Sequence, residues 1–180
     1  MRALLLLAMP MLFAAVTSAA ALPVCTDCLL GVYDDAQLTR SSGIAGPFEL
    51  KSVYIGIRLP DGMRIDTLSF SAAYPIGFSV IDWSSYVPGV TLTPAGSGVR
   101  GEWPACIAGT RLLFRVRVLG IGMFHDAILR LLDASASGCD GAQVWRVPAG
   151  CYILNPSGPP VACGVETAPS TWSLVKELFR

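Results

Sequence analysis

Two cysteines stand three positions apart in Cys25-Thr-Asp-Cys28. Such a pair is a redox dithiol, half of a zinc site, or a short structural disulfide. A redox dithiol opens a helix after a strand, where the helix dipole lowers the thiol pKa. Zinc needs a second close pair of cysteines or paired histidines. Here the pair precedes a short apolar run, and Cys106, Cys139, Cys151 and Cys163 are widely spaced. The chain has 1 His. The expectation is therefore a structural disulfide, with a thiol–disulfide role as the remote alternative.

That histidine sits in His125-Asp126. A general base needs a nucleophile or substrate beside it, and no Gly-x-Ser-x-Gly elbow is present. His125 reads as a turn or strand-edge residue. Asp34-Asp35, Asp61 with Asp66, and Asp133 with Asp140 fall in expected loops. None follows a calcium-loop spacing, and Asp is a common turn residue. No catalytic residue, metal ligand or cofactor is expected, and the chain reads as a non-enzyme.

Two surfaces are candidates for binding. Arg111, Arg115 and Arg117 recur at alternate positions, which on a strand makes a stripe suited to an anionic glycan or an acidic partner. The same stripe also reads as a solvated face that discourages edge pairing. Near the C-terminus, Trp172 and Phe179 share a helical face with Val175. The aromatics Tyr54, Tyr74, Trp83, Tyr86, Trp103 and Trp145 would bind a sugar only if some were coplanar and exposed; large aromatics more often fill a core.

Charge narrows the partner class. Lys plus Arg is 13 and Asp plus Glu is 13, for a net charge of zero, so nothing favours nucleic acid or an anionic membrane. The expected partner is a protein or a glycan.

The first residues set the compartment. Met1-Arg2 leads into Ala3-Leu-Leu-Leu-Leu-Ala8 and Met11-Leu-Phe-Ala-Ala-Val16, then into Thr17-Ser-Ala-Ala-Ala21. A positive start, an apolar stretch and an Ala-x-Ala exit spell a signal peptide. Pro10 interrupts the stretch, which is too short to span a bilayer. The expected destination is periplasm, cell surface or medium, where six cysteines read as disulfides. Sequence alone does not choose among the pairings. The preferred set is Cys151 with Cys163, Cys106 with Cys139, and Cys25 with Cys28.

The elements that must position these residues are short and divided by turn signals, which predicts an all-β sandwich or barrel. Strands are expected at 29–33, 48–59, 67–72, 78–83, 90–93, 99–103, 110–119, 124–134, 143–147 and 151–154. In the clearest, Leu112, Phe114, Val116 and Val118 alternate against Arg111, Leu113, Arg115, Arg117 and Leu119. The stretch 124–134 also fits a helical face, but the all-β context favours strand. Residues 134–141 read as loop. Ser170 or Thr171 would cap a short helix running to Phe179.

With these residues in view, the chain resembles a group of exported, functionally uncharacterised bacterial proteins built as single cohesin-like β-sandwiches. The resemblance rests on Gly31-Val-Tyr-Asp34, on Ile65-Asp-Thr-Leu-Ser-Phe70 followed by Gly77-Phe78, and on Thr171-Trp-Ser-Leu-Val-Lys-Glu-Leu-Phe-Arg180. It implies a two-sheet antiparallel sandwich, cohesin-like or immunoglobulin-like, and a non-catalytic module that binds a protein through one sheet face. The expected organisation is a signal peptide at 1–21, a sandwich at 22–165 and an amphipathic tail at 166–180.

Overall fold

A computed structural model describes residues 21–95, 98–141 and 143–158. Nearly all of the expected leader, the tail with Trp172 and Phe179, and Cys163 lie outside the described residues. Among the described residues the chain is all strand and turn, and no helix is long and apolar enough to cross a membrane.

Eleven strands are described: β1 (Leu29–Tyr33), β2 (Ser42–Gly43), β3 (Leu50–Arg58), β4 (Arg64–Ala73), β5 (Phe78–Ser85), β6 (Thr91–Ala95), β7 (Gly98–Ala108), β8 (Thr110–Gly120), β9 (Ala127–Gly138), β10 (Val144–Arg146) and β11 (Cys151–Leu154). They form two layers. A four-stranded sheet runs β1-β3-β8-β5, and a seven-stranded sheet runs β2-β11-β9-β4-β7-β6 with β10 paired to β9. Pairing between these strands is antiparallel except for β2 against β11, and two isolated bridges, Val24 with Arg146 and Leu30 with Ala149, are also parallel.

Period-two alternation builds the interior, as pleated strands require. Leu30 and Val32 of β1, Val53, Ile55 and Ile57 of β3, and Val116 and Val118 of β8 face Ile65, Leu68 and Phe70 of β4. Phe114 is the aromatic centre. Its ring lies 6.0 Å from Phe70, 6.2 Å from Trp83 and 6.0 Å from Trp103. Gly101 makes the room: a Cβ there would stand 2.9 Å from Phe114 Cζ.

Three expectations change. Residues 134–138 are strand, not loop. Their composition looks like a linker, yet Ala134 and Ala136 point inward and are buried while Ser135 and Ser137 point out. The edge strand β6 carries Pro94 inside it, tolerated where no neighbour needs its missing N–H. In β8 it is Leu113, not Leu112, that is buried, with 0% exposure. Ile55 pairs with Phe114 and the next residue, Gly56, pairs with Leu112, so Leu113 is a bulge. A bulge inserts one residue and reverses the facing of everything beyond it.

A polar clasp joins the layers at one end. Tyr152 of β11, 2% exposed, donates its hydroxyl to Asp34 Oδ1 at 2.8 Å. Lys51 Nζ of β3 reaches the same oxygen at 2.6 Å. Burial, and then the Asp34 carboxylate, push the Tyr152 phenol well above its ordinary range.

Candidate functional site

The outer face of the four-stranded sheet is laid out by register. One row reads Tyr33, Tyr54, Arg115, Ser84 across β1, β3, β8 and β5. The next reads Ser52, Arg117, Asp82. A third sets Gly31 beside Gly56 beside Leu112. Each outward side chain follows from its strand's inward set, because Val53, Ile55, Val116 and Val118 occupy the core.

The glycine row is filled from above. A Cβ on Gly31 would strike the Tyr33 ring, and one on Gly56 would strike the Leu38 methyls. Tyr33 and Leu38 therefore lie flat across bare backbone. Leu38 is delivered by a loop that Asp35 holds closed. Asp35 accepts from the Thr39 and Arg40 backbone N–H groups at 3.1 and 2.9 Å, and from the Thr39 hydroxyl at 2.9 Å. Slight burial raises the Asp35 pKa, but these hydrogen bonds outweigh it and leave the carboxyl below its usual value.

The two arginines are positioned rather than loose. Arg115 Nε donates to Ser84 Oγ at 3.2 Å. Arg117 Nε donates to both Asp82 oxygens at 2.8 and 2.9 Å, and its Nη2 reaches Oδ2. The hydrogen bond from Arg117 holds Asp82 below the usual carboxylate range. Tyr86 stands at the edge, 47% exposed, with its ring 6.2 Å from that of Tyr54.

Arg111 does not belong to this stripe. The Leu113 bulge puts it in register with Ile57, a core residue, and its Nε turns to the Ala108 carbonyl at 3.3 Å. The expected set of three is thus a pair, Arg115 and Arg117. Sequence reading did not single out Tyr33, Leu38 or Asp82 as site residues. The signal available for two of them was glycine at outward positions, Gly31 and Gly56, where a strand surface otherwise carries side chains.

The opposite face has different chemistry. On the seven-stranded sheet, Thr91, Glu102, Thr67 and Ser137 form one row, and Thr93, Arg100, Ser69 and Ser135 the next. Arg100 and Glu102 pair with each other at 2.7 Å. In these two rows the side chains are short hydroxyls and one ion pair.

The other candidates disperse. Cys25 is joined to Cys28 and Cys106 to Cys139. Cys151 is disulfide-bonded, and its expected partner Cys163 lies outside the described residues. His125 is exposed and lines a cleft with Ile44 and Met123, while Asp126 is taken by Ser157. Among the described residues no three of His, Cys, Asp or Glu converge. Trp83 and Trp103 pack in the core, the Tyr54 and Tyr86 rings are tilted at 44°, and Trp145 lies at another end, so these aromatics make no coplanar platform.

No family model matches this chain, and no curated protein does. Solved structures do. A cohesin module from a Clostridium perfringens family 33 glycoside hydrolase is 13% identical, covering 71% of this chain and 97% of its own at a TM-score of 0.54. The third ScaB cohesin of R. flavefaciens, solved in complex with a group 1 dockerin, is 11% identical, covering 76% and 100%, at 0.56. A non-cellulosomal cohesin from the archaeon Archaeoglobus fulgidus is 17% identical, covering 71% and 91%, at 0.52. At these identities the likeness is one of fold: the sandwich is cohesin-like.

Proposed function

We propose that the chain is a non-catalytic, exported interaction module that docks another protein on the outer face of its four-stranded sheet. The observation that carries this is the contrast between the two faces. One presents Tyr33, Tyr54, Tyr86, Arg115 and Arg117 on a strand ladder, and two adjoining rows of the other present Ser and Thr around the Arg100–Glu102 pair. Tyr and Arg are the residues that concentrate binding energy at protein interfaces, where Ser and Thr are under-represented. The leader pattern and the disulfides support export. The fold supports a docking role by analogy only, since cohesins such as the R. flavefaciens ScaB module were solved with a dockerin bound.

The test uses mature protein as bait on the native organism's secretome, in three forms: wild type, Tyr54→Ala with Arg115→Ala, and Ser69→Ala with Ser135→Ala on the opposite face. A captured protein should be lost with the first pair, at about tenfold or more in affinity, and kept with the second. Capture that survives the first pair, or that fails with the second, overturns the assignment of the face. Absence of any stable partner, together with turnover of a tested substrate, overturns the class.

A further inference from the structure

Loops meeting at one end of the sandwich leave large apolar side chains in water. Ile44 and Phe48 precede β3, Ile76 lies between β4 and β5, and Ile121 and Met123 lie between β8 and β9. All five are exposed, Met123 at 79% and Ile76 at 98%. Apolar side chains gain free energy by leaving water, and here that gain is not taken.

The loops are nonetheless tied in place. Asn155 Oδ1 accepts from the Ala45 N–H, and its Nδ2 donates to the Ala45 and Phe124 carbonyls, each at 2.9 Å. Ile121 N donates to the Gly77 carbonyl at 2.8 Å, and Phe48 N to the Gly120 carbonyl at 3.0 Å. The Phe124 ring packs 4.6 Å from that of Phe78. Phe48, Asp126 and Asn155 hold left-handed backbone, with φ of 57°, 52° and 51°, which costs free energy in a residue other than glycine. This framework holds open a cleft of about 290 Å³ between residues 44–47 and 123–125, with Asn155 and Pro156 in its wall.

We propose that the C-terminal segment 170–180 docks in cis on this loop end, with Trp172 in the cleft and Val175 and Phe179 over the surrounding apolar side chains. The position of the chain argues for this occupant. The polypeptide leaves β11 through Asn155 and Pro156, which line the cleft, and Gly158 is the last described residue. Residues 159–180 are thus tethered beside the site they would cover. A short tether raises the local concentration of such a segment to about millimolar, so a weak contact suffices. The sequence argues for it too. Trp172, Val175 and Phe179 recur at i, i+3, i+7, the spacing of one helical face. A helix this short is marginal alone in water, and its apolar face needs a surface to lie on. Lys and Arg are absent from 43–50, 74–78, 119–128 and 155–158, so an anionic bilayer finds no electrostatic hold here. The loop end shares no residue with the tyrosine–arginine face, and the two assignments stand or fall separately.

The experiment is hydrogen exchange, read by mass spectrometry on the intact mature chain. Amides of 170–180 should exchange about tenfold or more slowly than those of a free peptide of the same sequence. Ile44→Ser with Met123→Ser, both at exposed positions, should return them to the free-peptide rate while the β3 and β8 amides stay protected. Free-peptide rates in wild type overturn the proposal, as does protection that survives the serine pair. Protection that fades on dilution assigns the contact to a second copy, and protection that appears only with phosphatidylcholine vesicles assigns it to lipid; each overturns docking in cis. A second measurement does not depend on the serine variant folding. With p-benzoylphenylalanine in place of Trp172, photolysis should cross-link within one chain to residues 44–47 or 123–125. Cross-linking to another surface, or between chains, overturns the proposal.

Discussion

Arg117 and Asp82 face each other across the β8–β5 ladder, and the guanidinium Nε meets both carboxylate oxygens, at 2.8 and 2.9 Å. The pair lies in the row next to Tyr54 and Arg115, so it is a fixed, net-neutral ion pair on the candidate face. A bidentate fork constrains orientation as well as distance. A partner approaching this surface meets a neutralised arginine in a set position, with the Arg115 guanidinium one row away.

The acid response of that pair follows from its sign. Hydrogen bonding to Arg117 lowers the folded-state pKa of Asp82. Its contribution is therefore complete above the ordinary Asp value and disappears as pH falls through the lower folded value. Asp82→Asn should remove that part of the acid dependence while changing stability at neutral pH only slightly, as exposed pairs do. Thermal unfolding of both proteins from about pH 7 down to about pH 2 reads this out: the gap between them should narrow towards the acid end.

At the alkaline end the tyrosines decide. Burial pushes Tyr74 up to about 12, and Tyr152 is raised as well, by burial and by Asp34. Folding favours their neutral forms, so the stabilisation is whole below the ordinary phenol value of about 10 and is lost as pH rises past it. Tyr152→Phe should lower stability at pH 7 by about 1.5–3 kcal/mol, the range for a hydrogen bond to a charged group. It should also flatten the fall between about pH 10 and pH 12. Urea midpoints at the two ends of that range check both halves.

The aromatic centre makes opposite substitutions costly. Phe114→Ala should destabilise by about 3–5 kcal/mol, because three aromatic neighbours are left around a void. Gly101→Ala should cost about 1–3 kcal/mol by overpacking, since its Cβ would sit 2.9 Å from Phe114 Cζ and 3.3 Å from Trp103 Cη2. Denaturant unfolding should show a shifted midpoint with an unchanged slope in both variants.

The two described disulfides should differ in worth. Cys106–Cys139 spans a sequence separation of 33 and Cys25–Cys28 one of 3. Loop-closure entropy then gives about 4 kcal/mol for the first and about 2 kcal/mol for the second. Paired Cys→Ala variants, each compared with wild type under oxidising conditions, should show that order.

Much of the sandwich is legible because alternation is a local signal. Val53, Ile55 and Ile57, and likewise Leu68, Phe70 and Ala72, point inward as their spacing requires. The failures are all non-local. The bulge at Leu113 depends on Gly56 in the neighbouring strand, and nothing near Arg111 in the chain reveals that its facing has reversed. The strand at 134–138 hides because Ala, Ser and Gly are small, and small inward residues resemble a linker until a partner strand is seen. Asp82 could not be assigned to Arg117, because 35 residues separate them.

The bland sheet has its own consequence. Rows of Thr91, Thr93, Thr67, Ser69, Ser135 and Ser137, interrupted by the Arg100–Glu102 pair, offer mainly hydroxyls that solvent satisfies as well as a neighbour would. A body whose two sides differ in this way has a back and a front, so a partner selected for aromatic and guanidinium groups would approach it from a single direction.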